Sequence, residues 1–312
     1  MRTVNRVVIG AHAPTAGGLA TIALPYVDAA AARAVQVFIS NPRAWVLSPG
    51  DPAQDEEFRA GCAERSVPAY VHANLLVNVG SPTPATVERS TQTLAHALRR
   101  GRSIGAKGVV FHAGSAVNSS HARTVLRQLR KAIVPLLDET ASVDGPSLLV
   151  EPSAGGGHCL AARVEDLGPY LDALGWHPAV GVCLDTCHAY AAGHDLAAPG
   201  GMTATLDALV AAVGPGRLAL VHANDSKDPC GSLRDRHETI GAGRIGEAAF
   251  AELLAHPATA GVPVIVETPS TGHAGHAADI ARLTGLARGP ARSRSRSRSR
   301  LGGAAEIVWP DK

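Results

Sequence analysis

The sequence predicts a (β/α)8 TIM barrel, and three observations carry that expectation. Eight short apolar, β-branched runs recur along the chain, each followed by a segment long enough for a helix. Runs of this kind, bounded by Gly or Pro, suit strands buried on both faces, as in a parallel sheet. Together the repeats fill a body slightly longer than the roughly 250 residues typical of such a barrel. An open doubly wound sheet is the alternative, but IGAHAPTAGGL after the first run is not a dinucleotide fingerprint.

VVIGAH (7–12) opens the series, followed by AVQVFIS (34–40), PAYVHA (68–73) and GVVFHA (108–113). SLLVEP (147–152), VGVCLDTCH (180–188), LALVHAND (218–225) and PVIVET (263–268) complete it. Ala- and Leu-rich stretches between the runs predict helices, such as those over 86–104 and 122–138. After Arg288 the texture changes. ARSRSRSRSR (291–300) alternates Arg with Ser, so like charges repel and nothing there can be buried. Residues 1–287 are therefore expected to form the barrel domain, and 288–312 a disordered, basic, low-complexity tail.

Composition excludes several classes. The formal charge of +2 is uneven: from Arg288 onward seven cations face two anions, which leaves the first 287 residues at about −3. Hydrophobic content of 46% with 18% charged residues supports a packed core. No uncharged apolar run approaches the roughly 18–20 residues that span a bilayer, so no membrane association is expected. The start, MRTVNRVVIG, has no secretory apolar region, and five irregularly spaced cysteines suit a reducing, cytoplasmic setting.

Five runs end in a residue type that binds metals. His72, His112 and His222 share the setting apolar-His-Ala, and Glu151 and Glu267 follow LLV and VIV. In a barrel the C-terminal ends of the strands converge on the face where active sites lie. Asp185 and His188 in CLDTCH, where the sixth run turns into its loop, and Asp235 and His237 in RDRH add two further pairs. Five His and four carboxylates without thiolate suit zinc or manganese, and nine donors exceed one tetrahedral ion, so two or three metals are expected. Cys183 and Cys187 are spaced by four, unlike a CxxC pair, and are expected to be buried core thiols. His96, His121, His256, His273 and His276 are expected to be exposed, and His12 to stand behind the ligands.

The segments GVCLDTCHAYAAGHDL (181–196) and HANDSKDPCGSLRDRHETIGAGRIG (222–246) resemble the signature stretches of the endonuclease IV family, the apurinic/apyrimidinic endonucleases of base-excision repair. IGAHAPTAGGL, VHANLLVN, FHAGS and VIVET fit the same pattern in the same order, so the resemblance spans roughly 7–287. It implies a (β/α)8 barrel with three Zn2+ per chain. Carried over by position, His72 and His112 look like ligands of one zinc, with Glu151 bridging to a second that Asp185, His222 and Glu267 complete. His188, Asp235 and His237 would hold the third.

The resemblance further implies metal-assisted hydrolysis of the phosphodiester 5′ to an abasic site, with Glu151 as the catalytic carboxylate. The products would be a 3′-hydroxyl and a 5′-deoxyribose phosphate, with 3′-end phosphodiesterase activity beside it. The implied partner is double-stranded DNA with abasic sites or blocked 3′ ends, bound by a monomer. Arg43 in SNPRAW sits where the family has an Arg that enters the DNA, and Lys227 and Arg236 are candidate phosphate contacts. Three features depart from the family: Leu75 where some members carry a Tyr wedge, Pro152 after Glu151, and the Ser-Arg tail. Two rival readings are a metal-dependent sugar isomerase or epimerase on a similar barrel, and a non-catalytic nucleic-acid binder working through the tail.

Overall fold

Eight parallel strands close into a barrel in the computed structural model, which describes residues 7–288 apart from Arg123 and Thr271. In chain order the first half holds β1 (Ile9–Ala13), α1 (Leu19–Ala29), β2 (Val35–Phe38), α2 (Pro52–Arg65), β3 (Ala69–His72), α3 (Pro84–Ser103), β4 (Gly108–His112), α4 (Ser119–Ala122) and α5 (Val125–Ser142). The second half holds β5 (Ser147–Glu151), α6 (Leu167–Ala173), β6 (Val180–Asp185), α7 (Thr186–Ala191), α8 (Gly201–Val213) and β7 (Leu218–His222). It ends with β8 (Asp225–Ser226), β9 (His237–Glu238), α9 (Glu247–Ala255), β10 (Val264–Val266) and α10 (His273–Ala287). Strands β1 to β7 pair in sequence order, and β10 closes the ring between β7 and β1. All eight apolar runs overlap a barrel strand, as expected. Beyond Arg288 the predicted Ser-Arg tail lies outside the described residues.

The helices differ in detail from expectation. The stretch predicted over 86–104 begins earlier, at Pro84, because proline at the first helical position loses no hydrogen bond and has its φ already set. The stretch predicted over 122–138 corresponds to α5, which starts at Val125 and runs on to Ser142 with Leu129, Ile133, Leu136 and Leu137 buried along one face. No helix among the described residues is long and apolar enough to cross a membrane.

Two apolar regions form the core. The larger lies between the sheet and the helices, where Val37, Val71, Val109, Phe111, Val150, Val182 and Val221 point outward. The smaller fills the barrel with Ala34, Tyr70, Val110, Leu149, Cys183, Leu220 and Ile265. Side chains along a strand alternate faces, so positions two residues further on also point into the barrel. Those positions are Gln36, His72, His112, Glu151, Asp185, His222 and Glu267. The apolar plug is thus covered by a polar layer at the C-terminal ends of the strands. Strand register keeps that layer level: His112 pairs with Glu151 across β4 and β5, and Asp185 with His222 across β6 and β7.

Candidate metal centre

The polar layer gathers around Glu151, which is fully buried at the end of β5. Its Oε2 lies 3.3 Å from His72 Nε2 and 3.6 Å from His112 Nε2. Its Oε1 lies 3.0 Å from His222 Nδ1 and 3.3 Å from His188 Nδ1. Burial opposes the carboxylate's charge, but His222, His188 and His72 hold its pKa well below the usual range. Donor atoms of His72, His112 and Glu151 lie within 4.8 Å of one another, as do those of Asp185, His222 and Glu267. These are the first two donor sets expected from the sequence.

A third group forms above them. Asp185 ends β6 and caps α7, where its Oδ1 accepts the backbone N–H of His188 at 2.9 Å. The expected loop is therefore a short helix, because the aspartate satisfies one of the free N–H groups of its first turn, and that turn carries His188 back over the barrel. His188 Nε2 lies 3.2 Å from Asp235 Oδ2, and His237 Nε2 lies 3.0 Å from Asp235 Oδ1 and 3.6 Å from Asp185 Oδ2. His237 stands on β9, which pairs with β8 as a two-stranded antiparallel ribbon after β7. Burial works against its protonation, yet Asp185 and Asp235 raise its pKa to about 9.

Four histidines each commit one ring nitrogen to an oxygen behind the site. His72 Nδ1 donates to Ala73 O at 2.7 Å, and His188 Nδ1 to Pro152 O at 3.1 Å. His237 Nδ1 donates to Glu267 O at 3.2 Å, and His222 Nε2 to Gln36 Oε1 at 2.9 Å. Such bonds fix the ring orientation and leave the opposite nitrogen facing the carboxylates, where a metal can take the place of its proton, the arrangement usual for metal-binding imidazole. Among the described residues, buried Glu151 Oε2 and His237 Nε2 make no well-aligned hydrogen bond, although His72 Nε2 and Asp235 Oδ1 stand 3.3 and 3.0 Å from them. A cation among these donors would satisfy both atoms, and an all-nitrogen-and-oxygen set suits zinc.

Sequence reasoning missed two residues behind the donors. Gln36, fully buried, also donates to Glu267 Oε1 at 2.7 Å. Asn224 donates to Asp185 Oδ2 at 2.7 Å and accepts the Glu267 N–H at 2.8 Å. A polar residue inside the apolar run AVQVFIS was the available signal for Gln36. His12 stands behind Glu267, with Nδ1 3.2 Å from Oε1, and burial lowers its pKa. Cys183 and Cys187 are buried, and burial pushes each thiol up to about 12. Their donor atoms nevertheless lie close enough to Glu151 and His222, and to Asp235 and His237, to form mixed groups. Thiols that are protonated at neutral pH are poor ligands beside ionised carboxylates. The exposure expected of five further histidines fails most fully at His276, which is buried because Tyr26 Oη at 2.7 Å and Thr268 O at 3.0 Å satisfy both ring nitrogens. Of the other four, only His273 is exposed, while His96, His121 and His256 are half-buried.

The candidate DNA contacts surround this mouth. Arg43 is exposed on the loop after β2. That loop is tied to the one after β3 by Leu75 N–H to Pro42 O at 3.0 Å and by Asn74 Nδ2 to Asn41 O at 2.9 Å. Val46, Leu75, Leu76, Val117 and Leu233 are exposed on loops of the same face. Arg236 is less free, since its guanidinium forks onto Asp228 at 2.6 and 2.5 Å. Lys227 Nζ lies 4.0 Å from Glu238 Oε2.

Residues 24–286 match the family model described as "Xylose isomerase-like TIM barrel". The chain is 56% identical over 286 residues to a probable endonuclease 4 of Streptomyces avermitilis, covering 92% of each chain. A probable endonuclease 4 of Streptomyces coelicolor is 57% identical, covering 90% of this chain and 95% of the relative. Among solved structures, endonuclease IV from Thermus thermophilus superposes with a TM-score of 0.79 at 34% identity, covering 90% of this chain and 98% of that one.

Proposed function

Since the chain belongs to the endonuclease IV family, we propose that it is a zinc-dependent DNA repair endonuclease. It hydrolyses the phosphodiester 5′ to an abasic site, leaving a 3′-hydroxyl and a 5′-deoxyribose phosphate, and trims blocked 3′ ends. The observation that carries this reading is the set of three donor groups around Glu151, Asp185 and Asp235 at one end of the barrel. His72, His112 and Glu151 would hold one ion, and Asp185, His222 and Glu267, with Glu151 shared, a second. His188, Asp235 and His237 would hold a third. Zinc bound in such sites supplies Lewis acidity, neutralising phosphate charge and bringing the pKa of water down towards about 7.

The remaining work falls to the chain itself. Glu151 sits at the floor of the mouth, ionised and flanked by His72, His112, His188 and His222, so as the catalytic carboxylate it would be shared between the first two ions and hold them beside the scissile phosphate. Gln36 and Asn224 fix the orientation of the surrounding donors. The layer is recessed, so the damaged nucleotide has to leave the duplex, which costs less when no base is stacked. Arg43 would meet the DNA on the loop after β2, and the exposed Leu75 and Leu76 would press on the exposed base steps. Lys227 and Arg236 would contact phosphates only by exchanging Glu238 and Asp228 for them. In this reading residues 1–287 form the catalytic unit, and the Arg-rich tail adds salt-sensitive attraction to DNA. The protein would act as a monomer in the cytoplasm, a compartment that keeps free cysteines reduced.

A sugar isomerase leaves the Asp235, His188 and His237 group without a task. The deciding experiment incubates the protein with a duplex carrying one abasic site, with and without a strong zinc chelator. Incision 5′ to the site that disappears with chelator and returns with zinc is expected. An intact duplex under zinc-replete conditions would overturn the assignment. Truncation after Ala287 should keep incision, whereas total loss would favour a binder that works through its tail.

A further inference from the structure

The segment IGAGRIG (240–246) supplies no metal donor, yet it winds around a single buried carboxylate. Asp225 Oδ1 accepts backbone N–H groups from Ser226 and Ile245, both at 2.8 Å. Its Oδ2 accepts from Gly241 at 2.9 Å, Gly243 at 3.2 Å and Gly246 at 3.3 Å. Gathered N–H groups of this kind form an anion nest, and here the anion is part of the chain. The glycines make the approach feasible. A Cβ on Gly243 would lie 2.4 Å from Asp225 Oδ1 and 2.5 Å from Ser226 O, while Gly241 and Gly246 have φ of +80° and +78°.

The nest is attached directly to the ribbon that carries the third donor group. Asp225 pairs with Glu238, and Ser226 with His237. Lys227 N–H donates to Arg236 O at 3.0 Å, and Arg244 N–H to Ser226 O at 2.7 Å. The stretch bearing Asp235 and His237 is therefore fixed from both sides of β8. Asp279 on α10 secures the far end, accepting from Ile240 N–H at 3.1 Å and from the Thr268 hydroxyl at 2.5 Å.

We propose that Asp225 is the positioning residue of the third metal group: by collecting the N–H groups of 241–246, its carboxylate sets Asp235 and His237 against His188. The inference rests on the proposal that these three residues hold an ion. An asparagine has nearly the same shape but turns an NH2 towards backbone donors, so the nest opens while the barrel strands keep their register.

The test uses the full chain reconstituted with zinc, measuring metal per chain by mass spectrometry and amide exchange over 237–246. The parent chain should hold about three ions, and Asp225→Asn, Gly243→Ala and His237→Ala about two each. The melting temperature should show the barrel still folded, and exchange should rise in 241–246 for Asp225→Asn and Gly243→Ala. The double variant Asp225→Asn/His237→Ala should lose no more metal than either single one. Asp225→Asn that retains about three ions with parental exchange would overturn the positioning role. So would loss of every ion together with unfolding in both nest variants, which marks a general folding role. A parent chain holding about two ions, with His237→Ala unchanged from it, would instead bring down the metal assignment beneath the inference.

Discussion

Gln36 Oε1 lies 2.9 Å from His222 Nε2, which leaves His222 Nδ1 turned towards Glu151 at 3.0 Å. One amide in the middle of β2 thereby selects which imidazole nitrogen faces the carboxylates. Gln36→Leu removes that acceptor and frees the ring to rotate or change tautomer. Loss of such a supporting bond typically lowers metal affinity by about 10–100-fold. Competition against a chromophoric chelator measures it, and parental affinity in Gln36→Leu would show that the bond is dispensable.

Glu151→Gln keeps the volume at the end of β5 but removes the charge shared by four histidines. Incision is expected to fall to background while circular dichroism stays parental. A variant with near-normal turnover would show that Glu151 is not the catalytic carboxylate.

If Arg43 meets the DNA as proposed, its effect should be on grip rather than on chemistry, because it stands on the loop after β2 and outside the donor layer. Arg43→Ala should raise KM for abasic DNA with kcat largely kept, and should reduce the salt slope of binding by about one phosphate contact. An unchanged salt slope would remove Arg43 from the interface.

Protons and metal compete for the same nitrogens. Burial disfavours charge on all three rings, but Asp185, Asp235 and Glu151 raise the pKa of His188 well above 6.5, Cys183, Glu267 and Glu151 raise that of His222 likewise, and Asp185 and Asp235 raise that of His237 to about 9. A histidine with a raised folded pKa contributes stability that is complete below its unfolded value and is lost as pH rises through the folded one. Metal-stripped protein should therefore lose stability between about pH 6.5 and 9, taking the His237 values. Zinc affinity should move the opposite way, rising with pH and releasing protons on loading. Thermal melts with and without chelator, and calorimetry in buffers of different ionisation enthalpy, measure both trends. Loading that does not change with pH would contradict the cluster's electrostatics.

Most of the donor layer was legible because it is a local property repeated around a closed ring. A strand shows alternate residues to one face, so an apolar plug residue such as Leu149 or Leu220 places Glu151 or His222 two positions on. Strand ends in a parallel barrel share one face, so equivalent positions in separate runs converge without any knowledge of contacts. The barrel, its functional end and the residue types gathered there are thus written in the order of residues along the chain. The remaining choices depend on groups brought together only when the chain closes. Closure of β10 against β1 sets Glu267 beside His12. The bonds of Gln36 and Asn224 choose nitrogens and orient carboxylates across strands distant in sequence. The return of 225–246 over the mouth, wound around Asp225, carries Asp235 and His237 to His188. No periodicity encodes that path, because its shape comes from one buried carboxylate and the backbone donors that enclose it.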